Sequence, residues 1–197
     1  MQDIFTYFSL GLHHILAITA VDHLLFILSF VCIYTLANLK QTFLLVTAFT
    51  LGHSITLALA TLQVLNFSQE WIEFLIPCTI LASALANLNF EKVLPSKEKV
   101  STFKYAGITF FGLIHGLGFS NYLQSLLGME QSLIKPLLSF NVGLEVGQIV
   151  VLAIILLILS ILVNAFKIKH KSLVLVISGI IIGACVPMIV ERFLAIK

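Results

Sequence analysis

The chain has 197 residues, 59% of them hydrophobic and only 10% charged, with a net charge of +2 and a mean hydropathy of +1.10. A soluble domain carries about 25% charged residues, so a water-soluble globule is excluded. No basic face interleaved with aromatics is present, which also excludes nucleic acid as a partner.

The hydropathy pattern predicts an all-α polytopic transmembrane helix bundle. It forms a single transmembrane domain over residues 1–197, with about six spans of roughly 20 residues each. Met1-Gln2-Asp3 lacks a basic n-region, so no cleavable signal peptide is expected. The apolar run from Ile4 to Asn38 is too long for one perpendicular crossing. It reads as an amphipathic or re-entrant helix from Ile4 to about Thr19, leading into a span from about Val21 to Ala37. If Ile4–Ala20 crosses fully, the spans number seven. The remaining spans are predicted at Phe43–Leu65, Trp71–Asn89, Tyr105–Leu123, Leu133–Phe166 and Ser172–Leu194.

Lysines resist translocation, so loop charge sets orientation. Lys40 follows the first span, Lys92, Lys97, Lys99 and Lys104 the third, and Lys167, Lys169 and Lys171 the fifth. These loops are expected to face the cytoplasm of a plasma (inner) membrane, which leaves both termini outside, in a periplasm where there is one. Cys32, Cys78 and Cys185 all lie inside apolar runs without CxxC spacing, and read as small buried hydrophobes.

Ionisable residues inside hydrocarbon are costly and mark function. Those found here are His13, His14, Asp22 and His23 near the start, His53 beside Ser54, His115 between glycines, and Glu145 flanked by Asn141 and Gln148. His170 sits among lysines and reads as solvated. His14, Ile18 and Asp22 share one face if their helix is continuous. Asn141, Glu145 and Gln148 form one stripe, and Thr47, Thr50 and Ser54 another. His53 lies about eleven residues into its span, roughly 16 Å at 1.5 Å per residue, near mid-membrane. His115 and Glu145 reach similar depths, so several segments deliver polar groups to one slab. A lone helical histidine is more often a packing residue. With Asp22 and His23 near the outer end of their span, however, four segments converge on a slab from the midplane to the outer leaflet, which points to a shared site.

Imidazole with carboxylate and no thiolate suits Ni²⁺, Zn²⁺, Co²⁺ or Fe²⁺. Thr50, Ser54, Asn141 and Gln148 are placed to fix imidazole tautomers. Gly112 and Gly116, followed by Gly118, form a GxxxG around His115, and Gly143 and Gly147 repeat it around Glu145. This spacing lets neighbouring backbones approach.

The stretches Gly11-Leu-His-His14-Ile-Leu, Asp22-His23-Leu-Leu-Phe26, Thr47-Ala-Phe-Thr-Leu-Gly-His53-Ser-Ile-Thr56-Leu, Phe111-Gly-Leu-Ile-His115-Gly-Leu-Gly-Phe119 and Phe140-Asn141-Val-Gly143-Leu-Glu145-Val-Gly-Gln148 occur in this order. In that order they resemble the short branch of the HupE/UreJ family of hydrogenase and urease accessory membrane proteins. The resemblance implies uptake or supply of nickel or a related divalent metal, with metalloenzyme-maturation proteins as partners. It carries over His14, Asp22, His23, His53, His115 and Glu145 as the metal-handling set. The His–Pro pair of nickel permeases is absent, His14 being followed by Ile15. Transport is the leading expectation. A membrane-embedded zinc hydrolase, with three protein ligands and one open position, is an alternative. So is a non-transporting assembly subunit whose polar residues join helices.

Overall fold

The computed structural model describes residues 4–17, 20–89, 101–127 and 133–196, all as helix or connecting turn. In chain order the helices are α1 (Ile4–Leu16), α2 (Val21–Val31), a 3-10 turn at Leu36–Asn38, α3 (Leu39–Thr61), α4 (Gln69–Ala86), α5 (Thr102–Gly118), α6 (Ser120–Leu127), α7 (Ile134–Asn164) and α8 (His170–Ala195). Among the described residues, Leu36–Thr61, Ile134–Asn164 and His170–Ala195 are long and apolar enough to cross a membrane. The pair α1 and α2, bent by 68°, adds a broken fourth segment.

Three features depart from the sequence-based expectation. The segment from Val21 to Ala37 is not one span: α2 stops at Val31 after 11 residues, a rise of roughly 16 Å against a core of about 30 Å. Tyr105–Leu123 is likewise broken, ending as α5 at Gly118 and restarting at Ser120. There the Ser120 hydroxyl donates to the Leu117 carbonyl at 2.8 Å, competing with the helical ladder where Gly118 already weakens it. Finally, the break after Leu16 removes the continuous face proposed for His14, Ile18 and Asp22. Ile18, Thr19 and the lysines at 92, 97 and 99 lie outside the described residues.

The core holds Phe26, Phe49, Leu57, Phe140 and Leu144, each almost wholly buried. Leu51, Ile55, Ile154, Leu157 and Ile180 point outward. Helices apolar on both faces belong in lipid rather than water.

The closest helix contacts are α3 with α5 and α1 with α7, and glycine makes both. A Cβ on Gly112 would lie 2.2 Å from the Phe49 carbonyl oxygen, and one on Gly52 2.2 Å from that of Thr109. In the other pair, Gly11 would place it 2.0 Å from the Phe140 oxygen and Gly143 2.0 Å from the Phe8 oxygen. Such distances tolerate only hydrogen, so the backbones touch directly.

Candidate metal site

Four histidines meet where α1, α2, α3 and α5 converge. His14 closes α1, His23 opens α2 just after the break, His53 lies midway along α3, and His115 is in the last turn of α5. The bend between α1 and α2 brings the first two together, with ring centroids 4.6 Å apart. His53 is 6.4 Å from His14 and 6.3 Å from His23, and His115 is 5.6 Å from His23. His14, His23 and His53 each offer a ring nitrogen, and these three atoms lie within 4.8 Å of one another.

The nitrogens are notable for what they lack. His14 Nε2, His23 Nε2, both ring nitrogens of His53 and His115 Nδ1 are buried, and none has a hydrogen-bond partner among the described residues. An unsatisfied buried polar atom costs about 1–3 kcal/mol. A divalent cation accepts lone pairs, and His14, His23 and His53 form a group of the kind that could hold one.

The tautomers agree with this. Asp22 Oδ1 accepts from the backbone N–H of His23 at 2.9 Å and lies 3.1 Å from His23 Nδ1. With its proton on Nδ1, His23 presents a bare Nε2 to the group, the carboxylate–histidine pairing found behind metal ligands. The Thr79 hydroxyl donates to the Ile76 carbonyl at 2.7 Å, so His115 Nε2, 3.2 Å away, donates to Thr79 Oγ1. This leaves His115 Nδ1 with its lone pair.

Aromatic rings enclose the group. Phe119, at the α5–α6 break, is 4.0 Å from the His14 ring and stacks on Phe140 at 5.2 Å. Phe26 and Phe49 lie 4.9 and 5.2 Å from His115. Sequence reasoning passed over Phe119 and Thr79, since neither stands out in an apolar run until the fold sets it against a histidine.

Glu145 stands outside the three-histidine group. It accepts from Thr47 Oγ1 at 2.8 Å, and one turn on Thr50 Oγ1 donates to Gln148 Oε1 at 2.8 Å, so the two stripes form a polar seam between α3 and α7. Among the described residues, Gln148 Nε2 and Asn141 Oδ1 in this region are buried without partners, while the Asn141 amide donates to the Leu137 carbonyl. Ser54 is half-buried beside His53. His13 is exposed and bonds back to Ser9. His170 is not merely solvated, as expected, but half-buried, its Nε2 2.9 Å from the Cys32 carbonyl oxygen, tying α8 to the end of α2.

A family model described as HupE / UreJ protein matches residues 1–192. The chain belongs to the HupE/UreJ family. This family is associated with nickel and cobalt transport or with accessory functions for urease and hydrogenase, and its members are membrane proteins. No curated protein and no solved structure matches the chain. The HupE/UreJ match spans every element that contributes a histidine to the group.

Proposed function

We propose that the protein is a plasma-membrane transporter for a divalent transition-metal cation of the nickel type, with Ni²⁺, Co²⁺ or Zn²⁺ as cargo. His14, His23 and His53 bind the dehydrated ion, and Asp22 holds His23 in the ligating tautomer. The observation that carries this reading is that His14, His23 and His53 each have a buried ring nitrogen without a partner among the described residues, and that each offers a ring nitrogen within 4.8 Å of those of the other two. Histidines that merely joined helices would spend those nitrogens on hydrogen bonds. The phenylalanine shell suits an ion-sized cargo better than the lipid or peptide of a hydrolase.

In this reading six segments cross the bilayer: α1 with α2, α3, α4, α5 with α6, α7 and α8. Both termini lie outside, and the lysine-rich connections are cytoplasmic. A polar cavity of about 380 Å³, lined in part by Asn66, Ser120, Asn121 and Gln124, lies at the outer ends of α3 and α5. It supports an access route lined by amides, which replace water around a cation without trapping it.

Purified protein reconstituted in liposomes is expected to move Ni²⁺, Co²⁺ or Zn²⁺ into the lumen, read by an entrapped metal-sensitive dye. No flux of any of these ions under any imposed proton gradient would sink the transport reading. Asp22→Asn is expected to weaken Co²⁺ binding by about 10–100-fold, the usual loss when a histidine ligand's carboxylate partner is removed, while the protein stays monodisperse. Unchanged affinity in a visible-absorption titration would remove Asp22 from the site.

A further inference from the structure

The two glycine-mediated contacts described above are the same contact made twice. A shift of 101 residues carries Gly11-Leu12, His14 and Leu16 of α1 onto Gly112-Leu113, His115 and Leu117 of α5. A shift of 91 carries Phe49 and Gly52 of α3 onto Phe140 and Gly143 of α7. The spatial contacts obey both shifts. Gly11 abuts Phe140 O and Leu144 N, as Gly112 abuts Phe49 O and His53 N; Gly143 abuts Phe8 O and Leu12 N, as Gly52 abuts Thr109 O and Leu113 N. Even a size exchange is reciprocal. Ile15 packs on Gly147 in one pair, and in the other Gly116, at the position of Ile15, packs on Thr56, at the position of Gly147. The buried residues of α1 (Tyr7, Gly11, Ile15) fall on Ile108, Gly112 and Gly116, all buried in α5.

Each half therefore runs as a broken helix, a long helix and a proline-containing helix. α1–α2, α3 and α4 with Pro77 correspond to α5–α6, α7 and α8 with Pro187. Their directions are opposed. The first turns of α4 meet the last turns of α8, where Arg192 bonds Glu73 at 2.7 Å and Phe74 packs on Phe193. The glycine contacts run α1 parallel to α7 and α5 parallel to α3, because Gly143 and Gly147 meet successively later residues of α1, as Gly112 and Gly116 do of α3. Since α3 precedes α4 and α7 precedes α8 through short turns, α3 and α7 point oppositely, and so do α1 and α5.

We propose that the chain is an inverted pair of repeats exchanging two conformations related by the pseudo-two-fold axis between them. In the conformation opposite to the one described here, His115, the repeat mate of His14, replaces His14 as the third metal ligand. This rests on the transport reading, since inverted repeats with interrupted helices at the site are how one site is opened to each side of a membrane in turn. His115 is equipped for the exchange. It is 1% exposed, its Nδ1 has no partner among the described residues, and its ring is 5.6 Å from His23, while Thr79 holds its other nitrogen.

Two measurements on full-length protein test this. Gln63→Cys and Asn164→Cys, at the ends of α3 and α7, are expected to react with a membrane-impermeant maleimide from opposite sides of oriented vesicles. Labelling from the same side overturns the inverted repeat. With Co²⁺ alone as probe, His14→Ala and His115→Ala should each bind within roughly 10-fold of the parent protein, because either state supplies three histidines. The double variant should bind at least about 100-fold more weakly, the worth of one ligand. If His14→Ala loses as much as the double variant, His115 is not the substitute ligand and the proposal falls. His14→Gln and His115→Gln give the same comparison should either alanine variant aggregate. Absence of flux by the parent protein, with labelling and Co²⁺ results as expected, would reject transport alone and leave the two-state site standing.

Discussion

Alanine at His53 is expected to abolish stoichiometric Co²⁺ and Ni²⁺ binding and all flux in liposomes, with the helical fold retained. His53 is wholly buried and neither of its nitrogens has a hydrogen-bond partner among the described residues, so its removal breaks no bond seen to hold α3 in place. It does remove a ligand that belongs to either conformational state, so the repeat cannot compensate as it does for His14. A four-ligand structural zinc site is worth about 10–16 kcal/mol, so one ligand carries roughly 3 kcal/mol, or about 100-fold in affinity. Metal analysis of purified protein and a Co²⁺ titration measure this. A variant that binds metal as the parent does would take His53 out of the site, and one that no longer purifies as folded protein would make it a packing residue.

The second large effect concerns folding. Gly143→Val is expected to prevent assembly of α1 on α7, because its first side-chain carbon would fall 2.0 Å from the Phe8 carbonyl oxygen and 3.1 Å from the Leu12 nitrogen. Backbone cannot swing aside as a side chain can, so the helices must separate by more than an ångström along their contact. Overpacking costs about 1–3 kcal/mol even where side chains can yield, and here the cost should lie at or above the upper end. His14, carried on α1, would leave the histidine group with it. Thermal stability in detergent should fall sharply and metal binding should go with it. Gly179→Ala and Gly183→Ala supply the control, since nothing lies within 4 Å of a Cβ at either position. They should leave the melting temperature within a degree or two, and equal losses at all three glycines would mean that helix propensity, not close approach, is the cause.

The expectation for His14 and Asp22 shows where sequence reasoning reached its limit. The spacing of eight positions suggested a shared helical face, yet the chain breaks between them. His14 meets His23 because the helices bend by 68°, not because of helical periodicity. Depth and the family resemblance both group Glu145 with the histidines, and neither fixes which way a side chain turns. In the structure the Thr47 hydroxyl donates to its carboxylate on the α3–α7 seam.

Sequence alone determined the solvent, the class and the cast of residues. With 10% charge and 59% hydrophobic residues no arrangement of these helices dissolves in water, so a helical membrane protein follows from transfer free energy before any contact is known. The histidines stand out for the same reason, as polar groups kept in hydrocarbon at a cost. Which of them share an ion, which carboxylate serves His23, and that Phe119 lies against His14 depend on long-range packing that no local pattern encodes. The internal repeat lies between these limits. Gly11-Leu12-x-His14 and Gly112-Leu113-x-His115 are legible in the chain, but three matched letters mean little alone. They become evidence once each glycine is seen touching the same backbone atoms of its partner helix, because steric contact at about 2 Å from an added Cβ admits one residue type and one geometry.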